Sequence, residues 1–144
     1  MKALVLLPEE FEEIEALTVV NVLRGVGIET MMASLSSSVV TGKNNVKVIA
    51  DKKIAEIDPY AYDMLILPSS KNLFNSAKAI ELVKNFSKKD KFIAAINTAS
   101  ILLAEAGVLD DKIATVFPGY ENKIPKPRAA KVVVAKNIVT ARGP

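Results

Sequence analysis

One stretch of this sequence constrains the fold more than any other, because a short apolar run leads directly into a helical pattern. Lys91 is the last charge before residues 92–96, and this run has the length of a strand that is buried on both faces of a sheet. The apolar positions 99, 102, 103 and 106 then repeat at the spacing of one helix face. Asn97 is therefore predicted to lie at a strand-to-helix elbow. Ligands and catalytic groups collect at the carboxyl ends of strands in open α/β sheets, so Asn97 is the first candidate for a functional residue.

Strand and helix patterns alternate along the rest of the chain. Apolar segments predict further strands at residues 3–7, 28–33, 62–67, 113–116, 132–134 and 138–140. Helix spacing appears at residues 12–24 and 72–88, and residues 35–59 predict a hairpin-like excursion with a loop at 42–45. This alternation predicts an α/β fold: a three-layer sandwich with a mostly parallel, flavodoxin-like sheet flanked by helices. At 144 residues the chain has the size of one domain, which we expect to span residues 1–144.

The same spacing predicts which side of each long helix is buried. For the helix at 12–24, the predicted inner side contains Ile14, Leu17, Val20 or Asn21, and residues 22–26. For the helix at 72–88, it contains Leu73, Ala77, Ile80, Val83, and Phe86 or Ser87. Each helix is thus expected to pack on the sheet through one apolar stripe.

The composition excludes several kinds of site. The chain contains neither cysteine nor histidine, which rules out a thiolate nucleophile, Cys–His and Ser–His arrangements and most zinc sites. The net charge of +3 comes from scattered Lys and Arg residues without stacking aromatics, which gives no support to nucleic-acid binding. No apolar run reaches the ~20 residues that span a bilayer, no secretory signal precedes the first strand, and no glycine-rich phosphate loop is present. A cytoplasmic protein without a cofactor or a membrane partner is expected.

Four segments, in this order, resemble the DJ-1/PfpI (ThiJ) superfamily. They are residues 1–18 (MKALVLLPEEFEEIEALT), 94–96 (AAI), 117–121 (FPGYE) and 138–144 (IVTARGP). The resemblance covers essentially the whole chain and implies the class I glutamine amidotransferase-like fold and a homodimer or higher self-association. Family members normally continue into a final helix, which we expect to be missing here, either naturally or by truncation. Its loss is expected to uncover apolar sheet surface and so to favour association.

The resemblance implies a site at the elbow in which key residues are replaced. The family's elbow carries a nucleophilic cysteine that is supported by a glutamate from the first helix and, in many members, by a histidine. Glu15 matches that glutamate, whereas Asn97 stands at the cysteine position and Phe117 at the histidine position. An amide is not a useful nucleophile, so no residue is assigned a catalytic role. Apart from the resemblance, Glu15 is one of five glutamates between positions 9 and 15 that could solvate a helix start.

Three further replacements surround this position. Ser69 and Ser70 stand where the family has Gly-Gly, and serine is expected to carry a Cβ penalty in the positive-φ backbone that glycine adopts. Glu10 replaces a glycine after the first strand and is expected to place a charged group at the edge of a pocket. The candidate ligand-binding residues are Glu10, Glu15, Ser69, Ser70, Asn97 and Thr98.

The elbow also carries hydroxyl groups, on Thr98 and Ser100. Neither has a histidine to activate it as a nucleophile, and a lysine base would have to arrive from elsewhere. Thr98 is instead expected to cap the following helix, and Ser100 to pack in its first turn. The five glutamates between positions 9 and 15 could suggest a hard-cation site, but no loop arranges oxygens around one point, so no metal is expected.

Three functions remain open at this point. The leading hypothesis is a degenerate, non-catalytic member of the superfamily that retains the fold and a small-ligand pocket at Asn97. The second is an enzyme in which Glu15 acts as acid or base on a small carbonyl or amide substrate, with Asn97 as a polarising amide. Such an enzyme would be like the amidases and proteases, glyoxalases, deglycases or thiazole-biosynthesis proteins of the family. The third is a regulatory or interaction module, which predicts an exposed apolar patch away from the elbow.

Overall fold

The computed structural model describes residues 1–144 and contains nine strands and three α-helices. The strands are β1 Lys2–Leu7, β2 Glu29–Ser34, β3 Val39–Thr41, β4 Lys47–Ile49, β5 Lys52–Lys53, β6 Met64–Leu67, β7 Phe92–Ile96, β8 Val132–Ala135 and β9 Ile138–Ala141. The helices are α1 Glu13–Gly25, α2 Ala77–Lys88 and α3 Ala99–Glu105. Short 3-10 turns occur at Ile54–Glu56, Pro59–Ala61, Lys71–Leu73 and Glu121–Lys123. None of the helices is long and apolar enough to cross a membrane.

Seven of the strands form one sheet in the order β5-β2-β1-β6-β7-β9-β8. All neighbours in this sheet run parallel except β8, which pairs antiparallel with β9. The strands β3 and β4 form a separate antiparallel hairpin, as the sequence predicted. The chain runs from β1 outward through β2 on one side and through β6 and β7 on the other. The strand order therefore reverses between β1 and β6, which is where open α/β sheets usually bind ligands.

The two faces of the sheet carry separate apolar clusters, which confirms the predicted three-layer sandwich. On one face, a cluster of 10 buried residues, including Val5, Phe11 and Val20, joins β1 to α1. On the other face, a cluster of 24 buried residues joins the sheet to α2 and α3. The helix stripe predicted at positions 99, 102, 103 and 106 is entirely buried. The elbow strand β7, in contrast, is not buried on both faces as predicted, because Phe92 is 44% exposed.

The predicted inner side of α1 is right only in part: Val20 is buried and Leu17 packs against the same apolar cluster, but the two ends of the predicted stripe are wrong. Ile14, Val22 and Val26 are 67%, 55% and 70% exposed, whereas Glu13 and Glu15 are buried. Apolar residues surround most of this helix, so their spacing could not define one inner face. Glu13 and Glu15 accept hydrogen bonds from other segments of the protein. These contacts orient α1 with both glutamates on its buried side, so the helix is rotated relative to the predicted orientation.

Two further predictions need correction. The second long helix begins at Ala77, which is exposed, because Ser76 caps it there and Lys71–Leu73 forms a 3-10 turn instead. Residues 113–116 do not form a strand, and Ala114 makes only an isolated bridge to Pro127. Pro127 has no N–H to donate, which limits pairing there. The N–H of Thr115 instead binds the Oγ1 atom of Thr140 at 2.9 Å.

Candidate functional site

The elbow after β7 has the geometry that the sequence predicted. Asn97 follows the last residue of β7 and adopts φ 63°, in the left-handed region that asparagine enters more readily than most residues. Its N–H donates to the carbonyl of Ala141 at 2.8 Å, which ties the elbow to the end of β9. The side chain of Asn97 is thereby held at the carboxyl edge of the sheet.

Glu15 faces the elbow rather than solvating the start of α1. It is 4% exposed, and its Oε2 atom accepts hydrogen bonds from the backbone N–H and the Oγ of Ser69, each at 2.7 Å. Its Oε1 atom accepts a hydrogen bond from Asn97 Nδ2 at 2.9 Å. A carboxylate can only accept hydrogen bonds, so the amide nitrogen of Asn97 must point to Glu15 and its Oδ1 atom must point away. We refer to Glu15, Ser69 and Asn97 as the elbow cluster.

The serine pair after β6 is not strained in the way that was expected. Neither Ser69 nor Ser70 has a positive φ, and Ser70 is extended at φ −165°. The Ser70 hydroxyl donates to the carbonyl of Glu9 at 2.6 Å and accepts from the N–H of Asn72 at 3.0 Å. The expectation of a Cβ penalty was therefore wrong, because the two hydroxyls bind the loop to Glu15 and to the segment after β1.

Positive-φ backbone instead occurs at Glu10, next to the carbonyl of Glu9 that the Ser70 hydroxyl binds. Glu10 adopts φ 58°, and its N–H donates to the carbonyl of Thr41 at 2.8 Å. The side chain of Glu10 is exposed at the rim of the site, where it was expected to lie. A non-glycine residue in this backbone region is held there by its surroundings, here by the bond to the β3–β4 hairpin.

The two hydroxyls of the elbow differ in their environment. Thr98 precedes α3, but it has helical backbone angles and its side chain makes no capping hydrogen bond, so the expected cap is wrong. Ser100 does pack in the first turn of α3, where it is fully buried and its Oγ has no hydrogen-bond partner. Thr98 is the only one of the two that lines the open site.

The loops that follow β1, β6 and β7 enclose an open cleft of about 660 Å³. The structure brings together here all the residues that the sequence indicated, namely Glu10, Glu15, Ser69, Ser70, Asn97, Thr98 and Phe117. The cleft also contains residues that the sequence did not indicate, namely Glu12, Lys43, Lys71, Phe74, Tyr120 and Pro144. Most of these come from distant segments and carry no motif that would have revealed them.

The β3–β4 hairpin brings Lys43 to the cleft. Its Nζ atom lies 2.5 Å from Glu12 Oε1, and this hydrogen bond together with the negative charge of Glu12 raises the pKa of the Lys43 ammonium. Gly42, the preceding residue, lies so close to α1 that an added Cβ would come within 2.3 Å of Glu13 Oε1. A loop was predicted at 42–45, but not its contact with the helix.

Glu13 holds this hairpin loop in place. Its Oε1 atom accepts a hydrogen bond from the N–H of Asn44 at 2.6 Å, and its Oε2 atom accepts from Asn44 Nδ2 at 2.9 Å. Burial alone would raise the pKa of the Glu13 carboxyl, but hydrogen bonds from its own backbone, from Asn44 and from Val46 lower it by more. The net result is a lowered pKa, as expected for a carboxylate that anchors a loop in its charged form.

The glutamates near α1 serve separate contacts and do not converge. Glu12 pairs with Lys43, Glu13 binds Asn44 and Glu15 binds Asn97, while Glu9 accepts from the N–H of Thr41 at 3.1 Å. No group of three or more His, Cys, Asp or Glu side chains is arranged to hold a metal ion.

Comparison with known proteins places this geometry in a family. The sequence model of the DJ-1/PfpI family matches residues 1–144 of this chain. A deglycase of Pyrococcus abyssi is 30% identical over 151 aligned residues, which cover 100% of this chain and 91% of the relative. A deglycase of Pyrococcus furiosus, PfpI, is also 30% identical, with the same coverage. The oxidized DJ-1 of Toxoplasma gondii has 29% identity and a TM-score of 0.91, over 97% of this chain and 80% of that one. The chain belongs to the DJ-1/PfpI family.

Proposed function

We propose that this chain is a non-catalytic member of the DJ-1/PfpI family whose cleft binds a small molecule. One observation supports this most strongly: the side chain at the elbow is an amide, and it donates its hydrogen bond to Glu15 at 2.9 Å. Glu15 accepts two more hydrogen bonds from Ser69 at its other oxygen. The elbow cluster is therefore a closed hydrogen-bond network rather than a nucleophile beside a base.

The side chains of the cleft offer little to replace a thiolate. The chain has no cysteine and no histidine, and the amide nitrogen of Asn97 is not nucleophilic. The buried hydroxyl of Ser100 lies outside the cleft, and Phe117 contributes a hydrocarbon ring. Lys43, which could act as a base, is paired with Glu12, and this pairing keeps its ammonium charged.

The same geometry suits binding. Asn97 Oδ1 accepts no hydrogen bond from the protein, so it is available to a donor on a ligand in the cleft. Phe117 and Tyr120 provide an aromatic wall, with ring centroids 6.4 Å apart, and Lys71 supplies a cation at the rim. A small molecule with one hydrogen-bond donor and an apolar portion would match these groups.

A second candidate is an enzyme that depends on Glu15. Its support is the hydrogen bond between Ser69 Oγ and Glu15 Oε2, at 2.7 Å, because a serine nucleophile needs an adjacent group that can accept its proton. Ser69 is buried, which limits its access to a substrate. Two of the relatives are named deglycases, so deglycase activity is the activity to measure when this candidate is tested.

The deciding experiment measures turnover and binding with the same preparation. Hydrolysis of methylglyoxal adducts is compared with that of the Pyrococcus abyssi deglycase, and a panel of small amides, aldehydes and hydroxy acids is screened by calorimetry. We expect negligible turnover, together with binding that Asn97→Ala weakens by roughly tenfold, the effect of one lost hydrogen bond. Ser37→Ala, which changes a separate depression formed by Leu7, Glu9 and Leu35, serves as the matched control. Turnover that survives repurification and disappears in Glu15→Gln and Ser69→Ala would establish the enzyme instead.

A further inference from the structure

The loops that follow β1 and β6 are joined to each other beside the cleft. The carbonyl of Glu9 accepts hydrogen bonds from Ser70 Oγ at 2.6 Å and from Asn72 Nδ2 at 2.9 Å. The N–H of Glu12 donates to the carbonyl of Ser69 at 3.0 Å. These contacts lie on both sides of position 10 in one loop and of position 71 in the other. Residues 10 and 71 therefore occupy neighbouring places on the rim of the cleft.

Glu10 and Lys71 are the charged groups of the cleft that have no partner. Both are exposed and line the cleft, and neither side chain makes an ion pair or a hydrogen bond within the protein. Lys43, in contrast, is paired with Glu12, and both carboxylate oxygens of Glu15 accept hydrogen bonds within the elbow cluster. The cleft thus presents to a ligand one unpaired carboxylate next to one unpaired ammonium group.

The cleft adds a polar group and an apolar wall to these two charges. Asn97 Oδ1 accepts no hydrogen bond from the protein and remains free to accept one from a ligand. Phe117 and Tyr120, the aromatic wall, are 43% and 41% exposed. An apolar group that packs on these rings removes apolar surface from water, which favours binding. A matching ligand therefore carries a positive group, a negative group and an apolar portion.

We propose that the ligand of this cleft is a free α-amino acid with an aromatic or large aliphatic side chain. This inference rests on the proposed binding function and names its ligand class. The α-ammonium group of the amino acid donates to the Glu10 carboxylate, and its α-carboxylate accepts from the Lys71 ammonium group. The apolar side chain packs on the aromatic wall. An ammonium group has three N–H donors, so a further one is available to Asn97 Oδ1.

The two unpaired charges select against molecules that carry only one charge. A simple amine that pairs with Glu10 brings its positive charge next to Lys71, and a simple carboxylate that pairs with Lys71 brings its negative charge next to Glu10. In each case, repulsion by the like charge opposes the attraction by the opposite one. An α-amino acid satisfies both groups, because its two charges lie on neighbouring atoms of one carbon.

Calorimetry with three matched probes tests the ligand class. L-phenylalanine carries both charges, phenethylamine lacks the carboxylate and hydrocinnamate lacks the ammonium group, while all three keep the aromatic ring. We expect L-phenylalanine to bind roughly tenfold tighter than either analogue, because each analogue lacks one charge-assisted hydrogen bond. L-phenylalanine that binds no better than the two analogues would overturn the proposal.

Two neutral variants test which residue recognises which charge. Glu10→Gln is expected to weaken the binding of L-phenylalanine roughly fivefold to tenfold without weakening that of hydrocinnamate. Lys71→Met is expected to weaken L-phenylalanine to the same extent without weakening phenethylamine. Glu81→Gln and Lys78→Met are the matched controls, because both residues are exposed on α2 and neither lines the cleft. Circular dichroism of each variant shows that it is folded.

The pattern of losses separates this inference from the proposed function. Equal losses for all three probes in either cleft variant would overturn the assignment of the charges, since a general change in the cleft would then explain them. If the amino acid fails to bind and another small molecule binds in a way that depends on Asn97, the binding function stands and the ligand class falls. Turnover that depends on Glu15, without binding of any of these molecules, would remove both.

Discussion

The helices α1 and α2 are similar in length but distribute their polar residues in opposite ways. The exposed positions of α2 include Lys78, Glu81 and Lys84, and its buried positions are apolar. In α1 the buried side includes two glutamates, and the exposed side carries isoleucine and valine. Helix α2 thus follows the ordinary amphipathic rule. Where a helix departs from that rule, the cause is usually functional, and α1 is the helix that supplies Glu15 to the elbow cluster.

The largest expected effect comes from shortening one apolar side chain on the inner side of α2 and comparing it with one on the outer side of α1. Phe86→Ala removes a 1%-exposed ring from the inner side of α2 and is expected to lower the free energy of unfolding by about 3–5 kcal/mol. Val22→Ala, on the outer side of α1, is expected to change it by less than about 0.5 kcal/mol. Urea denaturation measures both values. A large effect of Val22→Ala would mean that the outer side of α1 contributes to stability although Val22 is exposed.

A smaller effect is expected from Asn97→Asp, which tests the closed elbow cluster. This change replaces a donor to Glu15 with a second carboxylate, and we expect a loss of about 2–3 kcal/mol at pH 7. The folded state disfavours the second negative charge, so the pKa of Asp at this position is raised on folding. The destabilisation should therefore disappear below about pH 4, where the carboxyl is protonated in both states.

The control for this measurement is Asn97→Ala, which removes the hydrogen bond without adding a charge. Its effect is expected to be about 1–2 kcal/mol, and the electrostatic component seen with Asp should be absent from its pH dependence. Equal pH profiles for the two variants would show that Glu15 does not sense the charge at the elbow.

A smaller effect than that of Asn97→Asp is expected at Glu13, the other buried glutamate of α1. Its pKa is lowered in the folded state, so its contribution to stability is present above the unfolded pKa of about 4.3 and is lost as the pH falls through the folded value. Glu13→Gln keeps the size of the side chain, and we expect a loss of about 1–2 kcal/mol at pH 7 that vanishes in acid. Chemical denaturation at pH 7 and pH 3 measures the difference. A loss that is the same at both pH values would show that the Glu13 charge does not hold the hairpin loop.

The order of strands and helices could be predicted because local signals were strong and agreed. The apolar run before Asn97 and the stripe at 99, 102, 103 and 106 defined the elbow without any tertiary information. The hairpin around residues 42–45 was predictable for the same reason. Asn97 came from this elbow pattern and most of the other candidate site residues came from the resemblance, and the structure brings them into one cleft.

What could not be predicted depends on contacts between distant residues. The orientation of α1 follows from the partners of Glu13 and Glu15, which lie 31 and 54 or more positions away. The expected strain at Ser69 and Ser70 was wrong because a bond to Glu15 and a bond to the Glu9 carbonyl give the loop a different path. The segment 113–116 is apolar enough for a strand, but whether it pairs depends on a neighbour, and Pro127 is a poor one.

The close approach of Gly42 to Glu13 also has an evolutionary consequence. A Cβ at position 42 would collide with the Glu13 carboxylate, which binds the N–H of Asn44 two residues further along the same loop. A side chain at position 42 therefore requires residue 13 to become smaller, the Glu13 carboxylate to move away and give up its hydrogen bonds to Asn44, or the loop that carries Lys43 to take another path. Positions 13 and 42 should thus change together among related sequences, and sequences that keep both Glu13 and Gly42 should share this placement of the lysine.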